Sequence, residues 1–515
     1  MYDVVIIGYG LVGNMAALLL GHYGIRTAVI EKKALGDLPI AKAGRVDGEV
    51  VRMFKQLKLW DKLESVMHPL EGTQVIDKKG NTLLEFKESA LKDIAPVYGF
   101  YQPDVQRILQ DCVQKRYSRY VDLYTSCELE TIEQLEDGVE VFVHHHTAYK
   151  KIATKYLLVC NGQNSTIPEA SGLIYKIYDS LKYTLNVDTF ARDAVQVPTF
   201  AQTIYDADPP VTRITNNEEH QRWEFRLTKD EVDNASGTEQ VLELLQKTSA
   251  VELDIKSAFV HPFQAKILKQ WHSDRVIIAG DAAHIMPPYL GMGLSAGIKD
   301  VYNVVWKLQL LLDGIAKPAL LNFYKGEREL NVRYLIQLNL GIKRLFNSSW
   351  LRWLRRVVKI IPKGLLKRTL DTSSLIKYGV VGKLHKSRGR LFPLLMLRQT
   401  TGKILPLDQA TDKRFVVLGL NQNPVDAIAV KHIEYLAKIR AQFVKVIPSK
   451  EPFQTEPRYT QLMQDHTGEL QAWMEAQKIQ FVILRPDYVL YDAAKDSHQL
   501  NKTLSWMQKK LPLEI

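Results

Sequence analysis

The sequence predicts an α/β protein: a Rossmann-like nucleotide-binding domain, an inserted β-sheet domain and a further unit towards the C-terminal end. Three observations carry this. Residues 3–33, DVVIIGYGLVGNMAALLLGHYGIRTAVIEKK, read as strand, glycine turn, helix and second strand. The middle of the chain is rich in short alternating, β-branched runs. The length, 515 residues, exceeds one ordinary core, so two or three domains are expected.

In the first element DVVII is a strand, NMAALLLGHYG a helix and RTAVIE the returning strand. Between them Gly8, Gly10 and Gly13 form a G-x-G-x-x-G turn. Gly8 permits the tight turn, Gly10 lets a pyrophosphate approach the backbone, and Gly13 lets helix and strand pack closely. The helix N-terminus favours phosphate charge. Glu31 ends the second strand, where it can accept hydrogen bonds from an adenosine ribose. This ordered set points to a dinucleotide without separating NAD from FAD.

The stretch GDAAHIMPPYLGMG, residues 280–293, favours FAD. A simple NAD dehydrogenase would complete its nucleotide fold by about residue 150–180. Here an apolar strand, RVIIA, returns much later and ends in Gly280 and Asp281. Asp281, at a strand end, can bond ribityl hydroxyls. The loop through Gly291, Gly293, Leu294, Ser295 and Gly297 enters the helix AGIKDVYNVVWKLQLLL. Its amides can face the N1 and O2 edge of a reduced flavin.

The inserted domain is placed at 176–264, splitting the FAD domain into 1–175 and 265–335. TLNVDTFARD, TFAQTIYDA, VTRITN and QRWEFRL read as its strands. They are expected to roof the flavin, with the substrate between. Residues 336–388 read as a basic helical linker. Residues 389–515 form the last unit, with RFVVLGLN and KIQFVILRPDYVLYDA as strands and AIAVKHIEYLAKI and QLNKTLSWMQKKL as helices. It contains no C-x-x-C, which leaves out dithiol redox chemistry there.

The formal net charge is +11, and residues 341–370 carry nine Lys or Arg and no acid. The remainder is close to neutral, so nucleic acid is not an expected partner. Within that segment Trp350, Trp353, Leu354, Val357, Val358 and Ile361 fall at helical spacing. This suits a membrane-surface helix or a docking face for an acidic partner. A linker helix packed on the FAD domain, with a solvated basic face, is the preferred reading. Three scattered cysteines, Cys112, Cys127 and Cys160, argue against a disulfide framework and for a reducing, cytoplasmic setting. The start MYDVVIIG does not read as a signal peptide, and no apolar run reaches the roughly 18 residues of a spanning helix. No metal site is expected. His144, His145 and His146 alternate faces on a strand end and make a poor cage. His284 reads as a packed anchor for its loop. A homodimer is compatible with the sequence.

Taken together, the motifs resemble the single-component FAD-dependent aromatic hydroxylases, the group of para-hydroxybenzoate hydroxylase. The pattern is most similar to phenol hydroxylase and 3-(3-hydroxyphenyl)propionate hydroxylase. FYQPDVQRIL resembles the segment that brings a polar side chain, here Gln102, to the flavin. LLVCNGQNS, with Asn161 and Gly162, stands where the family has ADGxxS. HQRWEF resembles the middle-domain strand, LLNFYKGERE the helix closing the FAD domain, and FVILRPDYVLYDA the last strands of a thioredoxin-like tail. Asn161 and Asn164 replace a family Asp and Arg linked to flavin and NAD(P)H engagement, so NADPH versus NADH stays open. Met292 and Ser295 replace the usual Gln and Asn.

The resemblance implies a monooxygenase that uses FAD, NADPH or NADH, and O2 to hydroxylate a small phenolic or related aromatic substrate through a flavin C4a-hydroperoxide. It implies catalytic roles for Asp47, for the carbonyl of Pro288 and for Tyr289 in lining the pocket. For Asp47, an N-cap of the helix EVVRMFKQL weighs equally. Arg222 is read as a surface or interdomain ion pair before a substrate contact. Two other outcomes stay open: oxygenation of another kind, such as epoxidation or Baeyer–Villiger insertion, and a flavin-binding protein without turnover.

Overall fold

A computed structural model describes residues 1–37, 41–145, 148–193, 195–233, 235, 237–248, 252–346, 367–411, 413–453 and 460–514. The chain divides into two compact units, Met1–Val301 with Val332–Thr372, and Tyr302–Asn331 with Ser373–Ile515.

The first unit holds two large sheets. The nucleotide sheet runs His272–Ser273, Val276–Ile278, Ala148–Val159, Tyr2–Ile7, Thr27–Ile30, Val121–Tyr124, with Val139–His145 and Cys127–Gln134 branching from the third strand. The strands around Tyr2–Ile7 are parallel, and Ile7 pairs with both Val159 and Ile30. That is why YDVVII and TAVI are near-continuous apolar runs: parallel strands are covered on both faces. Val4 to Ile6 are fully buried. His144 and His145 sit at the end of the Val139–His145 hairpin, whereas His146 lies outside the described residues.

The second sheet has eight strands, in the order Leu253–Phe263, Lys182–Ala191, His220–Leu227, Val211–Thr215, Phe200–Ile204, Gly72–Ile76, Thr82–Glu88, Lys367–Leu370. It is therefore not drawn from 176–264 alone. Strands 72–76 and 82–88 come from the N-terminal part of the chain, and 367–370 pairs in parallel with 82–88. The expected helical linker 336–388 is corrected in the same way. The helix Asn322–Phe346 covers its beginning, residues 367–370 are strand, and the tryptophan-containing stretch 347–366 lies outside the described residues. KRTL has no helical periodicity and takes the free edge beside Thr82–Glu88.

Alternation sets the faces of this sheet. Leu185, Val187, Trp223, Phe225 and Val211 pack on one side against Val241 and Leu245 of helix Thr238–Thr248. Thr184, Asn186 and Asp188 share the opposite side, register-paired with Arg226, Glu224 and Arg222. That polar side meets the nucleotide-binding part: Arg222 Nη2 donates to the Lys42 carbonyl at 3.3 Å, and Arg45 Nη1 to Thr73 Oγ1 at 3.1 Å.

The second unit contains a seven-stranded sheet in the order Ile404–Pro406, Met396–Gln399, Thr460–Asp465, Gln442–Ile447, Val416–Leu420, Phe481–Leu484, Leu490–Ala494. Strands 416–420, 442–447 and 460–465 are parallel, and 481–484 returns antiparallel. Helices Val430–Lys438 and Ser497–Lys510 flank it. The unit buries an ion cluster: Glu327 accepts from Lys307 at 2.9 Å and from Arg485 at 2.8 Å. Burial alone would neutralise such groups, but the two cations hold the Glu327 carboxyl down to about 2.

Candidate active site

The glycine turn is built as its chemistry requires. Gly8 has φ +97°, and a Cβ there would lie 2.7 Å from the Asn161 Cα. A Cβ on Gly13 would strike the Gly8 carbonyl oxygen at 1.9 Å. Gly10 differs: a Cβ there would meet nothing within 4 Å, so the protein itself leaves that approach open. Gly10 caps helix Leu11–His22 with no side-chain hydrogen bond, and the first helical turn has no acid. The positive end of the helix is thus not neutralised by the chain, which fits a pyrophosphate. Glu31 accepts from the Tyr9 amide at 2.7 Å and the Lys33 amide at 3.0 Å, fixing its carboxylate at the strand end. Asn14 was not singled out in the sequence, yet its Nδ2 donates to the carbonyls of Tyr9 (2.6 Å) and Gly10 (3.0 Å) and locks the turn.

Gln102 begins helix Gln102–Tyr117 and accepts from the Ala43 amide at 2.9 Å, holding the segment that leads to Arg45. Asn161 and Asn164 are exposed in the turn after strand Ala148–Val159, and Gly162 between them has φ +82° with open space beside it.

Around residue 280 the chain makes a tight turn, with Gly280 at φ +63° against Val12 and Gly297. His284 Nε2 lies 2.6 Å from Asp300 Oδ2, fully buried, and the same carboxylate oxygen accepts from the Gly280 amide at 3.2 Å. His284 is therefore the packed anchor of this loop. Burial pushes the Asp281 carboxyl up, and no described residue donates a hydrogen bond to it. Asp281 is half-buried at the strand end, and the hydroxyls of a ribityl chain would supply the donors that no described residue offers it. Together with the open helix end at Gly10, this makes the residues a fit for FAD.

The glycine loop follows. The Pro288 carbonyl accepts from the Gly291 amide at 2.7 Å, closing a turn in which Gly291 has φ +57°. A Cβ on Gly291 would lie 2.4 Å from Arg45 Nε, so the glycine makes room for that arginine. Gly293 and Leu294 open helix Gly293–Leu312, and Ser295 Oγ accepts from the Asp47 amide at 2.9 Å. Asp47 caps helix Gly48–Gln56 by accepting from the Val50 amide at 3.1 Å. Its other oxygen accepts from Lys299 Nζ at 2.7 Å, and Lys299 also pairs with Glu49. Asp47 is thus an N-cap and an ion-pair anchor. Glu88, nearby in charge terms to Arg45, Asp47 and Lys299, is pushed up to about 7 by burial.

Tyr289 packs edge-on to Phe263, with the Arg226 guanidinium 4.9 Å above its ring. Burial lowers Arg226 to about 10, which leaves it a cation at neutral pH. On the same sheet face the Thr184 Oγ1 and Asn186 Oδ1 atoms are buried without a hydrogen-bond partner among the described residues. His261, register-paired with Thr184, is pushed down to about 4 by burial and by the charges of Lys42 and Arg222. Arg222 is expected in a surface or interdomain ion pair; it forms an ion pair, but a buried one within the sheet, its guanidinium 3.2 Å from Asp188 with both side chains 1% exposed. Trp223 faces the apolar side of the sheet. Sequence reading missed Arg226, Thr184, Asn186 and His261; only the strand alternation within KYTLNVDTFA, HQRWEFRL and LDIKSAFVHPF could have grouped them.

The FAD binding domain family matches residues 1–339, and the HcaD C-terminal domain matches residues 389–510. The 3-(3-hydroxy-phenyl)propionate/3-hydroxycinnamic acid hydroxylase of Escherichia coli O157:H7 is 25% identical over 540 residues, covering 99% of this chain and 95% of the relative. Among solved structures, the flavin-dependent monooxygenase PieE in complex with FAD and substrate has a TM-score of 0.79 at 16% identity, covering 99% of this chain and 98% of that one. OxyS anhydrotetracycline hydroxylase from Streptomyces rimosus has a TM-score of 0.74 at 21% identity, covering 99% of both chains. The chain therefore belongs to the FAD binding domain family, whose match spans residues 1–339.

Proposed function

We propose that this protein is an FAD-dependent monooxygenase that hydroxylates a phenolic or related aromatic substrate, with NADPH or NADH as reductant. One observation carries the reading. One compact unit holds both the dinucleotide turn and a glycine loop whose Tyr289 meets a sheet face on which Thr184 Oγ1 and Asn186 Oδ1 are buried without a hydrogen-bond partner among the described residues. The name of the Escherichia coli relative, a hydroxylase of hydroxyphenyl acids, supports the reaction class.

Gly8, Gly10, Gly13 and Glu31 would hold the ADP half of FAD. Gln102, Asn161, Gly162, Gly280, Asp281, Gly291, Gly293, Leu294 and Ser295 would line the remainder. FAD supplies oxygen activation and transfer when bound. The chain does the orienting. Arg226, Thr184 and Asn186 fix the substrate against Pro288 and Tyr289, and the sheet excludes water above it. His261 is neutral at pH 7 and offers a hydrogen-bond acceptor to a substrate hydroxyl on the same face. Asp47 acts by position: capped, ion-paired and bonded to Ser295, it sets the start of the glycine-loop helix.

The domain assignment completes the proposal. The FAD domain is split around the sheet that receives substrate. The C-terminal part, parallel strands 416–420 and 442–447 followed by the antiparallel pair 481–484 and 490–494 and a final helix, supports a thioredoxin-like support domain. Three buried free cysteines support a reducing, cytoplasmic setting.

The test is consumption of NADPH and NADH by the FAD-loaded protein across a panel of phenols and aromatic acids, with product mass. Faster consumption and a product one oxygen atom heavier are expected. Retained FAD with no substrate stimulation would favour a flavoprotein without turnover, and failure to retain FAD would overturn the reading.

A further inference from the structure

Between Ile174 and Leu181 the first unit exposes three large aliphatic side chains within eight residues, around the edge strand Tyr175–Ile177: Ile174 at 61%, Ile177 at 59% and Leu181 at 49%. Single exposed aliphatics are ordinary, but such a concentration marks a contact surface. Cations surround it. Lys176 is exposed in the same segment, and Lys266 is register-paired with Ile177. The Lys269 amide donates to the Ile174 carbonyl, which places that exposed lysine beside the patch. Across from it, Lys343 pairs with Asp179, and Arg344 is exposed one residue further along the helix Asn322–Phe346. Tyr178 and Asp179 of the same segment, with Leu340, Lys343 and Arg344, line a cavity of about 280 Å³.

We propose that this patch docks the protein on an anionic membrane surface, with the cavity mouth turned to the lipid. Aliphatic side chains reach the headgroup boundary while Lys and Arg meet anionic headgroups; that pairing of chemistries is found here on folded, described residues. The charge argues against a second copy as occupant, because a two-fold contact would bring the same cations together. Among the described residues no helix is long and apolar enough to cross a membrane, so the contact is peripheral. The inference stands apart from the reaction, since it is read by binding alone.

The experiment is co-sedimentation of the full-length, FAD-loaded protein with phosphatidylserine-containing vesicles and with pure phosphatidylcholine vesicles. Binding to the anionic vesicles only, reversed by high salt, is expected. The double variant Ile177→Asp/Leu181→Asp should abolish it, and Lys176→Glu or Arg344→Glu should weaken it roughly fivefold each. FAD content and thermal melting report whether each variant is folded. Equal binding to both vesicle types, or binding unchanged in the double variant, overturns the proposal. So does a dimer in sedimentation velocity that the double variant disperses, which would assign the patch to self-association. Binding to an acidic protein at this patch without vesicle binding also overturns it.

Discussion

Lys299 Nζ lies 2.7 Å from the Asp47 carboxylate across 252 positions of sequence, and the same ammonium pairs with Glu49. The three side chains are almost fully buried, Lys299 at 5%. One cation thus fastens the N-terminus of helix Gly48–Gln56 to helix Gly293–Leu312, which follows the glycine loop. Replacement by Met leaves two carboxylates buried without their counter-ion, a loss of about 3–5 kcal/mol. Urea unfolding of Lys299→Met should show this loss together with weaker FAD retention. A variant as stable as the parent would mean the ion pair does not hold these helices.

Gly10 and Gly13 separate ligand from scaffold. Gly13→Ala must displace the Gly8 carbonyl and should cost about 3 kcal/mol or more with or without FAD. Gly10→Ala meets no protein atom, so the melting temperature of the FAD-free protein should hardly move. Its FAD affinity should fall about tenfold or more, because the new methyl occupies the approach to the helix end. Fluorescence titration with FAD, beside melts of the stripped protein, reads both.

Glu88 gives the fold a pH dependence. Its carboxyl is raised from an ordinary value near 4.5 to about 7, so between those values the folded chain holds a proton that the unfolded chain has released. Stability contributed by this group is therefore full below about 4.5 and lost as pH rises through about 7, at most about 3 kcal/mol. Glu88→Gln should be more stable than the parent at pH 8 and indistinguishable near pH 4.5. Melts across this range decide it; a constant difference at every pH would contradict the assignment.

Arg226 sits over Tyr289 on the polar sheet face, beside Thr184 and Asn186. Arg226→Gln should raise KM for the turnover substrate about tenfold with a smaller change in kcat, since a group that positions substrate contributes to ground and transition states alike. Asn186→Ala should move KM in the same direction. Steady-state kinetics that show kcat falling alone would place Arg226 in the chemical step instead.

The glycine turn, Glu31 and the strand, turn and loop around Asp281 were legible in the sequence because each is local: a φ that only glycine tolerates, an apolar run between breakers, a carboxylate at a strand end. Strands 182–191 and 220–227 were legible by alternation. What stayed hidden depends on distance. Nothing near Gly72–Glu88 announces that it pairs with Phe200–Ile204 and Lys367–Leu370. Lys299 reads as one lysine on an amphipathic helix until Asp47 and Glu49 are brought to it. Arg222 and Arg226 share a face of one strand, yet the first is committed to Asp188 and the second stands over Tyr289, a difference set by the neighbouring strand and loop. The split of Asp47 between cap and catalyst could not be weighed without seeing both its oxygens engaged.

The eight-stranded sheet is assembled from chain segments made at very different times. Its strand at 82–88 leaves the ribosome early and its edge partner at 367–370 much later; Glu88 and Thr372, 284 positions apart, close that edge. During synthesis the early hairpin must wait with an unpaired border, and such borders are where nascent chains stick to one another. Completion of this sheet is therefore a late event in the birth of the protein. A ribosome stalled short of residue 367 would carry a finished glycine turn beneath an unfinished ceiling.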